Sequence, residues 1–479
     1  MTTAARGATP NRVSFPTLLL FGPPGLPIAA VLLIAGVYLP RFYVGLGIPF
    51  IVAGAAIGAV RLMDLCIDPI LGLLIDRTNT PIGRYRPWLL LGAPVSMLGV
   101  YELLVAAAPI PSHLIVWLVV TYVGYSMTLL SVTSWGAVLA KDYSDRARVY
   151  GWTQGMAVTG SVGLLLLSLL THGKVVLGKQ DSMPTIGWIL IYAFPICAII
   201  CALFTRERLT AAQAKTRFSF KDYGGAIARP TMRRVIFADF LLTLGPGTTA
   251  PLYVYFFKDA KGFTVTEVGL LLVFYIGSGI LGAPFWGAIA ARFSKHRTIQ
   301  VAGVAYALAQ TTLMALPRVW PHHTLAQTLP TALGMAAVGF CASAFLALIR
   351  AMVADVVDEV RLETRQDLTG LLYSMVTTTQ KVGTALAVTI IFPILAAVGY
   401  NGKEGVINTP HAVFGLEMCY LFAPIILVFL GGGMLFGYKL DNARHAEIRE
   451  ALERQSIGAS FAGAEESMTG PGISPEPAE

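Results

Sequence analysis

Between Phe15 and Tyr438 the chain is a succession of apolar runs of membrane-spanning length separated by short polar connections. A run of about 20 apolar residues matches the thickness of a bilayer core. In lipid the backbone must satisfy its own hydrogen bonds, so such a run has to be a helix unless the chain closes into a barrel. Twelve runs stand near 15–40, 48–75, 87–109, 113–140, 149–172, 185–204, 233–257, 265–291, 298–317, 325–353, 368–398 and 412–438. Only 13% of the residues are charged and 55% are hydrophobic, against about 25% charged in an average soluble domain. An all-α integral membrane protein of twelve transmembrane helices follows. Met1 to Arg12 is polar and the first run is long enough to span, so no cleavable leader is expected.

The net charge of +8 points to no nucleic-acid partner, because the basic residues are placed by topology. Arg77, Arg84, Arg86, Lys141, Arg146, Arg148, Arg292, Lys295 and Arg297 lie in even-to-odd connections, and the segment after Phe204 adds a further basic cluster. The opposite connections carry only Arg41, Lys174, Lys179, Lys258, Lys261, Arg318 and Lys403. The positive-inside rule then places both termini in the cytoplasm of a multi-pass protein of the cell (inner) membrane.

The polar segment 205–232 divides the chain into a six-helix half, 15–204, and a second, 233–438, with a short tail at 1–14 and a longer one at 439–479. Pro69-x-x-Gly72 with Arg77 recurs as Pro284-x-x-Gly287 with Arg292, as parallel repeats of a common six-helix unit would give. The tail from about residue 457 is small, polar and rich in Pro and Gly, so it is expected to be disordered.

Within the second run stand Arg61, Asp64 and Asp68. Each ionisable group at the bilayer centre costs roughly 2.5–3.5 kcal/mol even on a lenient scale, so such groups mark ion pathways by default. The i, i+4 spacing stacks both carboxylates on one helix face. Two acceptor-only groups so close need a proton or metal ion to offset their repulsion. A structural ion network with Arg61 and Lys381 is the alternative.

The string Asp64-x-x-x-Asp68-Pro69, Gly72, Asp76-Arg77-Thr78, Gly83-Arg84-Tyr85-Arg86-Pro87-Trp88 resembles the signature of the glycoside-pentoside-hexuronide:cation symporters, the melibiose permease family of the major facilitator superfamily. A second block, Met352-Val-Ala-Asp355-Val-Val-Asp358-Glu359 followed by Gln380-Lys381-Val-Gly383, is similar to that family's tenth and eleventh helices. The resemblance implies two pseudo-symmetric halves with a site at the midplane between them. It implies cation binding at Asp64 and Asp68, with Lys381 linking cation to solute; Thr128 on the fourth run is expected to offer a hydroxyl to the cation, and Arg61 to share in the coupling. Ile67 stands where melibiose permease has an asparagine, which removes an oxygen that sodium would use and tilts the expected coupling ion toward the proton. Arg84, Arg86 and Arg146, with Asp355 and Asp358, are expected to form a cytoplasmic gate between halves; ordinary solvated basic loops are the alternative.

On the solute side Trp135 is retained, while Ser131 replaces an acid of the melibiose site and the first run, GPPGLPIAA, lacks one. Gln154, Tyr373 and Thr377 carry polar tips at suitable depth, with Asp239, Tyr253, Tyr255 and Tyr275 as weaker candidates and Glu417 as a structural acid. Pro23, Pro24 and Pro27 are placed to kink the first helix. The expected activity is H+- or Na+-coupled symport of a sugar, glycoside or uronide by a monomer. A carrier of an amphipathic solute such as a lysolipid, or a non-transporting receptor on the same fold, are the alternatives. Neither the five cysteines nor the seven histidines form a metal pattern, and no phosphate cradle or activated nucleophile is present, so neither cofactor nor enzymatic step is expected.

Overall fold

The computed structural model describes residues 13–468 apart from 140–142, 172–173, 176, 178, 206, 208–223, 226, 317–324, 365, 367 and 404. Twelve long helices follow the twelve apolar runs: α1 (Phe15–Leu46), α2 (Phe50–Arg77), α3 (Arg86–Val105), α4 (Pro111–Leu139), α5 (Tyr143–Leu170), α6 (Met183–Phe204), α7 (Pro230–Ala260), α8 (Val265–Phe293), α9 (Lys295–Ala315), α10 (Leu325–Thr364), α11 (Thr369–Ala397) and α12 (Pro410–Met434). The proline cluster breaks α1, whose first segment ends at Phe21 and whose second begins at Gly25. Prolines lack the N–H that would continue the ladder, and the break falls where their missing donors accumulate.

A further helix, α13 (Asn442–Met468), follows α12. It carries regular structure through the first part of the stretch expected to be disordered. The residues there, Gly458-Ala-Ser-Phe-Ala-Gly-Ala-Glu-Glu-Ser-Met468, include several good helix formers, and the first proline comes only at Pro471. The expected linker at 205–232 falls mostly outside the described residues.

Within the first half α3 packs on α4 and α6, and α1 on α5; within the second, α8 packs on α10, and α7 on α11 and α12. The halves meet through α2 against α11, α5 against α8, and α1 against α7. Adding six to each number exchanges the first two contacts and returns the third to itself. The assembly therefore has the pseudo-two-fold relation that the Pro-x-x-Gly repeat suggests.

Contacts between the halves concentrate at the midplane and at the end away from the termini. There Phe50 stacks on Phe392 with centroids 4.2 Å apart and lies edge-on to Tyr255 at 5.7 Å. Arg41 sits over the Tyr255 ring at 5.1 Å and approaches the Asp259 carboxylate at 3.9 Å. The Tyr400 hydroxyl donates to Asp259 at 2.5 Å. Burial and the adjoining carboxylate both hold the Tyr400 proton on, pushing its pKa well above the ordinary phenol range, so it stays a donor. At the terminus-bearing end the described ion pairs run within one half or to α13, as in Arg229–Glu363 and Lys295–Asp355.

Candidate functional site

Asp64 and Asp68 lie on the inner face of α2, where Gly54 and Gly58 let the helix approach Phe392 and Thr389 of α11. Pro69 leaves the carbonyl four residues earlier without its helical donor. On α11, Gly383 fits against the Phe240 carbonyl of α7, and the preceding turn presents Lys381 to the cleft between halves. Lys381 Nζ donates to Asp64 Oδ2 at 2.6 Å and also bonds Asp68 Oδ2. One ammonium from the second half thus bridges two carboxylates from the first.

Ser126 on α4 donates to Asp64 Oδ1 at 2.9 Å, so both oxygens of this nearly fully buried carboxylate are occupied. Asp68 Oδ1 is buried without a hydrogen-bond partner among the described residues. Arg61, one turn before Asp64, turns aside: Nε donates to the Tyr122 hydroxyl and Nη1 to the Thr384 carbonyl of α11, each at 3.2 Å. With two carboxylates and two cations, the constellation is neutral as it stands. Any further cation brought to this constellation would have to displace a resident one, because desolvated like charges repel.

Arg61, Asp64 and Lys381 line a cavity of about 590 Å³ between the halves. Gln154 of α5 and Thr377 and Gln380 of α11 supply further polar groups, while Ala29, Leu32, Leu33, Val37, Ala157, Val158 and Ile276 give it apolar walls. Mostly apolar walls with a few convergent polar groups are the usual make-up of a small-molecule site.

Several expected site residues lie elsewhere. Thr128 back-bonds to the Gly124 carbonyl at 2.9 Å and packs toward Gly92 of α3. Ser131 bonds the Met127 carbonyl and is fully buried. Trp135 is fully buried against Phe21, beneath Arg86. These three share one stripe of α4, and that stripe faces α3 and α1. Tyr122, Tyr125 and Ser126 form the adjacent i, i+3, i+4 stripe, and it is this one that faces the site. Tyr373 bonds the Arg350 carbonyl at 3.2 Å and is not among the cavity walls, although Thr377, one turn on, is.

The expected gate residues also form other contacts. Glu207 accepts from the backbone N–H groups of Arg84 and Tyr85, and Arg86 donates to the Thr205 carbonyl at 2.7 Å, so these residues engage the segment that follows α6 and not the second half. Asp355 takes Lys295 at 2.5 and 2.6 Å, and Asp358 takes His445 of α13 at 3.0 Å. The Arg146 side chain lies outside the described residues. What sequence reasoning missed is the far-end cluster of Arg41, Asp259 and Tyr400. Its members sit near the end of α1, near the end of α7 and in the connection after α11, and nothing in their spacing brings them together. Glu417 pairs with Lys261 at 3.7 Å, which fits its structural reading.

Residues 20–442 match the family model described as MFS/sugar transport protein. The chain is 27% identical over 424 residues to the isoprimeverose transporter of Lactiplantibacillus pentosus, covering 84% of each chain. It is 25% identical over 430 residues to the glucuronide carrier protein homolog of Escherichia coli (strain K12), covering 86% of this chain and 90% of that one. Among solved structures, the nucleoside transporter NupG superposes with a TM-score of 0.66 at 14% identity, over 89% of this chain and 100% of that one. That last likeness speaks to the fold alone.

Proposed function

Because the chain belongs to the MFS/sugar transport protein family, a family of membrane transporters and not of enzymes, we propose that it couples the uptake of a sugar, glycoside or uronide to a cation. The observation that carries the proposal is the Lys381 bridge to Asp64 and Asp68 beside the interhalf cavity. It gives the two halves a shared ionic contact that a cation can replace. The proton is the preferred ion, since the oxygens gathered at the site are two carboxylates and the Ser126 hydroxyl, fewer than hard metal ions favour. Loading and unloading this contact then biases one half to rock against the other.

With both termini in the cytoplasm, as the loop charges suggest, the far-end cluster is the outer gate, and the described conformation is closed outward. Arg84, Arg86, Arg146, Asp355 and Asp358 belong to the inner face, where the lock of the opposite conformation would form. Residence in the cell (inner) membrane as a monomer completes the reading. The isoprimeverose and glucuronide relatives favour a glycoside or uronide. The long apolar wall from Ala29 to Val37 favours, as a second reading, an amphipathic solute.

Purified protein in liposomes, offered disaccharides, methyl glucuronide and lysophosphatidylcholine under imposed pH or sodium gradients, tests this. Accumulation of a glycoside or uronide under an inward proton gradient without sodium is expected. A strict sodium requirement overturns the choice of ion, and accumulation of the lysolipid alone selects the second reading. Accumulation of none of them contradicts the proposal.

A further inference from the structure

The neutral arrangement at Asp64, Asp68, Arg61 and Lys381 poses a question of charge. A cation that takes Asp64 or Asp68 weakens the hold on the Lys381 ammonium, and neutralising both leaves it unpartnered inside a low-dielectric cleft, where an unpaired charge is costly. An anion within its reach is needed in that state. Asp239 of α7 meets the requirement. It is 2% exposed, its Oδ1 accepts from Gln380 Nε2 at 3.1 Å, and its Oδ2 has no hydrogen-bond partner among the described residues. Among the described residues no cation forms an ion pair with it, and the Arg350 guanidinium acts on it only through space. Gln380 immediately precedes Lys381, and both side chains line the cavity. Helices α7 and α11 approach closely at Gly383, where an added Cβ would stand 3.3 Å from the Phe240 carbonyl. The long flexible lysine stem can therefore turn from the α2 side of α11 toward its α7 side.

Building on the coupling role proposed for Asp64 and Asp68, we propose that Asp239 is the alternative counter-ion of Lys381. The ammonium pairs with Asp64 and Asp68 when the cation site is empty and swings to Asp239 when that site is filled. Lys381 then alternates between a contact that ties the halves together and one confined to the second half. This makes cation binding release an interhalf bond instead of merely adding charge. The Oδ2 left without a partner is the position the ammonium occupies, and Gln380 holds the carboxylate oriented toward it.

The test requires no solute. Asn at position 239 keeps the acceptor for Gln380 and removes only the charge. Melting temperatures of the purified full-length protein are compared for Asp239→Asn in the parent, in Asp68→Asn and in Asp64→Asn/Asp68→Asn. In the parent, Asp239→Asn should leave the melting temperature unchanged or raise it, because a buried carboxylate that has no ion-pair partner among the described residues is removed. Where the α2 carboxylates are neutral, it should lower the melting temperature by several degrees, because Lys381 loses its last anion. That lowering should disappear when Lys381→Ala is added. Asp68→Asn alone should give the same sign with a smaller size, which keeps the test available if the double variant does not fold. An effect of the same sign in every background, or one that survives Lys381→Ala, overturns the proposal. Neither result touches the coupling role of Asp64 and Asp68, which gradient-driven uptake tests separately.

Discussion

Lys381 on α11 and Asp64 on α2 stand 317 positions apart in the chain and 2.6 Å apart in the structure. They come from opposite halves, and the contact lies in the wall of the central cavity. A charge pair so placed is at once a site and a hinge constraint, and each expectation below follows from one or the other property.

Ser126→Ala and Thr128→Ala separate the two polar stripes of α4. Ser126 gives a hydrogen bond to a buried carboxylate, and such bonds are worth roughly 1.5–3 kcal/mol. The coupling-ion concentration for half-maximal uptake should shift about tenfold or more in Ser126→Ala. Thr128→Ala, which loses only a bond to its own helix, should stay close to the parent. Initial uptake rates across a titration of the ion provide the comparison.

Asp259→Asn should loosen the far-end closure. Arg41 would keep its place over Tyr255 but lose its carboxylate, and Tyr400 would lose a charged acceptor. A loss of about 1.4 kcal/mol shifts the open fraction tenfold. Spin labels at the exposed Ile51 and Ile407, in a background with Cys66→Ser, should show a longer-distance population that the parent lacks.

Gly58→Ala tests the fit of α2 on α11. The added methyl would collide with the Thr389 side chain and lie 3.2 Å from the Ala385 carbonyl. Overpacking of this kind typically costs about 1–3 kcal/mol, so the melting temperature should fall and transport should slow. Thr389→Ala in the same chain should restore part of both, since it vacates the space the methyl needs.

The twelve helices, their grouping into two halves and the acidic pair on α2 were all legible in the sequence, because each rests on a local signal: apolar length, loop charge, or i, i+4 spacing. The partners of the acidic pair were less so. Lys381 was found through motif resemblance, whereas Ser126 was passed over for Thr128, two residues on. Sequence alone does not set the rotation of α4 about its axis, and a turn of about 100° per residue decides which stripe faces α2. Trp135 and Ser131 went astray for the same reason. The attachment of Asp358 to His445 could not be foreseen because nothing in the sequence places the helix after α12 against α10, and the Arg41–Asp259–Tyr400 cluster depends on two helix ends and a connection meeting.

Asp68→Asn puts the central claim to its most direct test. Removing the charge takes one of the two carboxylates that Lys381 bridges and leaves Asp64 to hold the ammonium, so the variant should still insert and fold. Solute exchange does not require net cation movement and should persist, while accumulation against a gradient requires the cation site and should be lost. Counterflow and gradient-driven uptake are measured in the same vesicles. The account predicts counterflow near the parent rate with no accumulation above equilibrium. Accumulation by Asp68→Asn equal to that of the parent would contradict it.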